Sequence, residues 1–149
     1  MQLAGTLSLA LPPRRAIAAL HDPENLAAYL PAPSTVRQLS TTAFEFVVMR
    51  PLGPIIFKLP GRLLIEPVAR GKRYSFVANG KHTLAGGVTL ALTIDFGGGG
   101  GATAISYDGT LEATGLAGRL LGERQHRVQT VLDAMFAGLK ARIERVVAP

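Results

Sequence analysis

Asp108 and Glu112 stand four residues apart in a stretch of alternating apolar and polar residues, so both fall on one face of a strand. Two acids on a shared face suit general acid–base chemistry, one protonated and one ionised, provided that a pocket holds a substrate between them. His21, His82 and His126 do not extend the pair, because they fall in different elements and no two have the spacing of metal ligands on one helix. The chain has no cysteine, which excludes a disulfide framework and a thiolate metal site and fits a reducing compartment. The five glycines 97–101 lack a following lysine with Ser or Thr and have strand patterns on both sides, so they read as a hairpin connection and not as a phosphate loop. No residue cluster announces a reaction, a metal site or a cofactor site, so the function has to be argued from the architecture.

One charged residue stands where an apolar one is expected. From 115 to about 147 the apolar positions Leu116, Leu120, Val128, Val131, Leu132, Met135, Leu139, Ile143 and Val146 recur at three- and four-residue steps, the period of one long amphipathic helix. Arg124 lies on that stripe, four residues after Leu120 and four before Val128. A cation there must reach water, meet a carboxylate, or face the polar head of a ligand, since an unpaired buried charge is costly. If it faces a ligand, Arg124→Ala weakens binding of a molecule with a polar head while the fold is kept.

The elements that would position such a site follow from the rest of the pattern. Leu3, Leu7 and Leu9 alternate with Thr6 and Ser8 in a first strand. Pro12 and Pro13 open a short helix to about Leu20, and Asp22-Pro23-Glu24 caps and starts a second one that Pro31-Ala32-Pro33 stops. That second helix carries Leu26, Tyr29 and Leu30 inward. From 34 to 114 the period is two: Phe44, Phe46 and Val48, then Ile55, Phe57 and Leu59 with Leu63 and Ile65, then Tyr74, Phe76 and Ala78, then Leu84 to Phe96, then Ile105, Tyr107 and Leu111. Arg50-Pro51-Leu52-Gly53-Pro54 and Ala69-Arg70-Gly71-Lys72 carry turn chemistry. The expected fold is α+β: a curved antiparallel sheet of about seven strands around a long C-terminal helix, with two short helices after strand one. It occupies a single domain, 1–149.

The chain has 149 residues, 48% hydrophobic and 17% charged, an apolar balance that hints at a cavity or docking surface. Its net charge of +6 permits attraction to anionic lipid or nucleic acid. Neither exposed aromatics among the charges nor a recognition helix is visible, which speaks against nucleic acid. The apolar stretch after Met1 lacks the preceding cations of a signal peptide, and no run reaches the ~18 apolar residues of a spanning helix. The expectation is a cytoplasmic protein, with peripheral contact to anionic membrane through the basic last helix and the apolar hairpin 52–57 as an alternative.

The whole chain resembles the START-like superfamily, also called SRPBCC or helix-grip. Within it the chain is similar to the carbon monoxide dehydrogenase G-subunit family: Met1-Gln2-Leu3-Ala4-Gly5 in the first strand, His21-Asp22-Pro23-Glu24-Asn25-Leu26 at the second helix, Leu52-Gly53-Pro54 in a hairpin, Gly61-Arg62 soon after, and 115–124 with Gly118 and Gly122. The resemblance implies an apolar cavity between sheet and terminal helix that holds hydrophobic molecules, and a link to maturation or membrane recruitment of a molybdenum-containing CO dehydrogenase. The segment Pro54-Ile55-Ile56-Phe57 and the five-glycine run depart from the family pattern.

Together these readings assign a ligand site to Tyr29, Phe44, Phe46, Phe57, Tyr74, Phe76, Tyr107, Leu120, Arg124, Val128 and Met135. The apolar members would wall it and the tyrosines and Arg124 would orient a polar group. The function expected is binding, and transport or presentation, of a lipid or isoprenoid-like molecule. The alternatives are a cyclase- or hydrolase-like enzyme of the same superfamily, or an adaptor for a partner enzyme of the CO dehydrogenase type.

Overall fold

In the first strand the odd residues Leu3 and Leu9 are buried while Gln2, Ala4, Thr6 and Ser8 are exposed, and this alternation runs through a seven-stranded antiparallel sheet. The computed structural model describes residues 1–28, 34–52, 54–82, 86–98, 101–115, 129, 133, 136–138 and 140–144, and the side chains of all these except 50–52, 55–57 and 82. The strands are β1 (Gln2–Leu9), β2 (Ser34–Gln38), β3 (Ala43–Leu52), β4 (Ile55–Ala69), β5 (Arg73–His82), β6 (Gly86–Gly97) and β7 (Thr103–Ala113). Their order across the sheet is β1-β7-β6-β5-β4-β3-β2, so consecutive strands from β2 to β7 are hairpin neighbours and β1 closes against the last of them.

Two helices follow β1, α1 (Pro13–Leu20) and α2 (Pro23–Ala28). Pro12 caps α1 and Pro13 opens it, where a missing N–H costs nothing. His21 ends it, its N–H bonded back to the carbonyls of Ile17 and Ala18. Asp22 then accepts the Glu24 N–H at 3.0 Å, the cap that starts α2. α1 buries Ala16 and Leu20 on the sheet, and the buried Thr103 hydroxyl donates to Leu11 O at 2.6 Å, tying the entry of α1 to β7.

Of the long terminal helix expected over 115–147, the described residues, among them 129, 133, 136–138 and 140–144, are helical. The remainder lies outside the described residues. Among the described residues no helix is long and apolar enough to cross a membrane.

The hairpin expected over Arg50 to Pro54 is tighter than its composition suggests. Arg50, Pro51 and Leu52 continue β3 and pair with Phe57, Ile56 and Ile55, leaving two residues between the strands. Proline and glycine read as turn punctuation, yet a proline lacks only the donor and can hold a place in the ladder. The turn at 69–72 is as expected: Lys72 N–H bonds to Ala69 O, and Gly71 has φ +80°, where a side chain would be strained. The glycine run connects β6 to β7, with Gly98 at φ +100°.

Candidate ligand-binding face

The inner face of the sheet has two parts. Toward α1 it is sealed: Ile65, Tyr74, Leu92, Ile94, Phe96, Ile105 and Tyr107 are all buried, joined by Leu9, Ala16 and Leu20 in one core. The space left there between sheet, α1 and Phe136 and Ile143 of the C-terminal helix is an apolar void of about 10 Å³, room for about one water and no larger guest. Toward the β3–β4 and β5–β6 hairpins the same face is less fully buried. Phe46, Phe76, Ala78, Val88, Leu90 and Leu111 point inward by strand parity yet are only half-buried.

Of the residues assigned from sequence, Phe44, Tyr74 and Tyr107 lie in the sealed part, at 0%, 8% and 4% exposure. Phe46 and Phe76 are half-buried on the same face. Tyr29, Leu120, Arg124, Val128 and Met135, and the side chain of Phe57, lie outside the described residues.

Two tyrosine hydroxyls expected to orient a ligand are already engaged. Tyr74 accepts the Gly71 N–H at 3.2 Å, fastening the β4–β5 turn, and its ring meets His21 and Phe96 edge-on at 5.5 and 5.8 Å. Tyr107 donates to Asp133 Oδ1 at 2.9 Å and accepts from Gln129 Nε2 at 3.3 Å, while its ring stacks on Phe136 at 4.6 Å. Burial pushes the Tyr107 phenol up from its ordinary pKa, the bond to Asp133 adds to the rise, and the Gln129 contact opposes it.

Gln129 also bonds both ways to the backbone of Ala4, its Oε1 accepting the N–H at 3.3 Å and its Nε2 donating to the carbonyl at 3.0 Å. β1 is an edge strand, and this side-chain amide covers one of its open peptide positions. Further along, Glu144 accepts the Ala10 N–H at 3.0 Å and Arg142 donates to Asn25 Oδ1 at 3.0 Å. The C-terminal helix is thus docked by polar groups on β1 and α2 as well as by Phe136 and Ile143. Sequence reading passed over Gln129 and Asp133 because a polar helical residue normally faces water. The available signal was the succession Gln129, Asp133, Phe136, steps of four and then three residues, which keeps all three on one helix face.

The acid pair takes the other side. Asp108 and Glu112 are exposed on the outer face, beside Ser106 and opposite Thr93 and Thr89 of β6. Neither side chain therefore faces the buried core. Among the described residues no three His, Asp or Glu side chains gather as a metal site.

Residues 5–144 match the family of the carbon monoxide dehydrogenase G subunit (CoxG). The chain belongs to the CoxG family. No curated protein matches it in sequence. Solved structures share its fold at low identity. A conserved protein from Geobacillus kaustophilus superposes with a TM-score of 0.77 at 15% identity, over 97% of this chain and 96% of that one. A STAR-related lipid transfer protein from Xanthomonas axonopodis gives 0.62 at 10%, over 94% and 84%, and the protein Ara h 8.0201 gives 0.62 at 12%, over 96% and 97%. The START-like resemblance seen in the CoxG-family sequence is therefore present in the fold as well.

Proposed function

We propose that this CoxG-family protein binds a hydrophobic small molecule, lipid or isoprenoid-like, in a groove between the sheet and the C-terminal helix, and carries or presents it without transforming it. In this reading the sheet wraps around the helix in the helix-grip manner. The observation that carries it is the division of the inner face. One end is closed to within a water's volume, while the other leaves six apolar side chains half-buried. Apolar surface left partly wet inside a fold is the stabilisation a hydrophobic ligand can collect, at ~25 cal/mol per Å² before ordering costs.

The lipid-transfer neighbour supports the same reading, since its name states a cargo of that class. In this reading Phe46 and Phe76 are wall residues, and Leu120, Arg124, Val128 and Met135 belong to the helix side of the groove. The family description names a component of carbon monoxide dehydrogenase, so an enzyme of that type is the partner to which cargo would be presented.

The test is direct. Protein purified without detergent is extracted with organic solvent and weighed intact by native mass spectrometry. A co-purifying hydrophobic molecule, or uptake of an added isoprenoid alcohol at one per chain, is the expected result. A protein that stays empty when challenged with isoprenoid, acyl and sterol probes would sink the proposal.

A further inference from the structure

Resting on that reading, we propose that Gly80 sets the depth of the groove, and with it a preference for methyl-branched over straight hydrocarbon chains, by letting Leu59 lie flat along the sheet. Gly61 and Gly80 face each other in the β4–β5 register. They form the middle of a row across the inner face that runs Val36, Phe46, Gly61, Gly80, Val88, Ala113. The row is therefore high at its flanks and has no side chains at its centre.

Neighbours lean into the two gaps. The Phe46 ring lies over Gly61, where a Cβ would overlap it, and the Leu59 isobutyl group lies 3.1–3.4 Å from where a Gly80 Cβ would stand. Side chains that would otherwise rise from the sheet are laid along it.

The two glycines differ in what requires them. At Gly61 a Cβ would also strike the backbone carbonyl of Asn79, so strand packing alone demands glycine there. Gly80 has no positive φ, and the three atoms nearest to a Cβ there all belong to the flexible end of Leu59. A strand glycine weakens its strand, and this one is required by neither backbone conformation nor backbone packing. What it does provide is room. A side chain at position 80 obliges Leu59 to give way, by a few tenths of an ångström for a Cβ alone, and so alters how it lies along the sheet.

The described side chains around this spot, Phe46, Leu59, Phe76, Ala78, Val88 and Leu90, are all uncharged and apolar. The part of a ligand that rests here is hydrocarbon. A straight chain needs only a narrow trough, whereas pendant methyl groups need the extra depth over Gly61 and Gly80.

The experiment compares geranylgeraniol with hexadecanol, each displacing N-phenyl-1-naphthylamine from the full-length protein, in wild type, Gly80→Ala, Leu59→Ala and the double variant. Wild type is expected to hold the branched alcohol more tightly. Gly80→Ala loses roughly tenfold in affinity for it and much less for the straight one, the scale of one misplaced methyl in an apolar pocket. The double variant regains the loss, because no isobutyl group is left to lift. If a folded Gly80→Ala binds both alcohols as wild type does, or weakens both equally, the depth inference is wrong while ligand binding stands. If wild type binds neither alcohol, the binding proposal falls and this inference with it. Should Gly80→Ala not fold, Leu59→Ala alone decides: tighter binding of the branched alcohol supports the inference, and unchanged binding overturns it.

Discussion

Tyr107 lies across Gly5, its partner in the β1–β7 register, so closely that a Cβ on Gly5 would overlap the phenol. The bare position lets the ring lean over the edge strand and put its hydroxyl between Gln129 and Asp133. Gly5→Ala must push the ring off this path. The expected cost is about 1–3 kcal/mol of folding stability, the usual range for overpacking at a buried side chain, read from urea denaturation. A change within about 0.5 kcal/mol would mean that the ring has another equally good position.

Tyr107→Phe keeps the ring and the stack on Phe136 and removes only the hydroxyl. The loss is about 1–2 kcal/mol near neutral pH, because Asp133 and Gln129 lose a partner at a half-covered site. The pH dependence has a definite sign. The folded phenol has a raised pKa, so folding favours its protonated form. Its contribution is complete below the unfolded value near 10 and is lost as pH rises through the folded one. Wild type should therefore lose more stability than Tyr107→Phe between pH 9 and 11, about one pH unit either side of that value. Parallel stability curves for the two proteins over this range would contradict the assignment.

Gln129→Ala uncovers the Ala4 peptide. Residues directly opposite in an antiparallel pair alternate between bonded and non-bonded, and Ala4 bonds outward to Gln129, so its own N–H is not held by β7. Amide exchange at Ala4 should accelerate by at least about tenfold in the variant, with Leu3 and Gly5 changed much less. Equal acceleration along β1 would instead mean that the whole strand loosens from β7.

The strands were legible because burial on one face imposes a period of two, and β1 shows it without exception: Leu3 and Leu9 inside, Gln2, Ala4, Thr6 and Ser8 outside. Helix starts were legible at Pro13 and Asp22 for local reasons of capping. The tight β3–β4 hairpin was not, since Pro51 reads as a turn wherever it stands. Nor was the split of the inner face. Phe44 and Phe46 are alike in sequence, two residues apart on one strand face, yet the first is sealed beside Leu63 and the second lies half-buried over Gly61. Which of two equivalent inward residues is buried depends on what covers them from distant parts of the chain, and strand alternation carries no such information.

That difference predicts a division of labour between Phe44 and Phe76. Phe44 is fully buried, so Phe44→Ala should cost about 3–5 kcal/mol through lost contacts and a cavity. Phe76 is half-buried, so Phe76→Ala should cost roughly 1–2 kcal/mol, in proportion to the smaller area withdrawn from water. Binding of N-phenyl-1-naphthylamine should drop for Phe76→Ala while the protein remains folded. A Phe76 variant with wild-type probe affinity would take this residue out of the groove wall.

The outer-face acids supply the opposite control. Asp108 and Glu112 are exposed, and among the described residues neither is in an ion pair, so the double change Asp108→Asn with Glu112→Gln removes charge without opening a cavity or stranding a partner. Stability should move by no more than about 0.5 kcal/mol, as for most surface substitutions. Probe affinity should stay unchanged, because the two side chains and the proposed groove are on opposite faces of the same sheet. An enzyme using this pair as acid and base would need its substrate on the outer face. Turnover of an ester or polyketide-like compound by wild type, abolished in the double variant, would revive that alternative and move the functional site across the sheet.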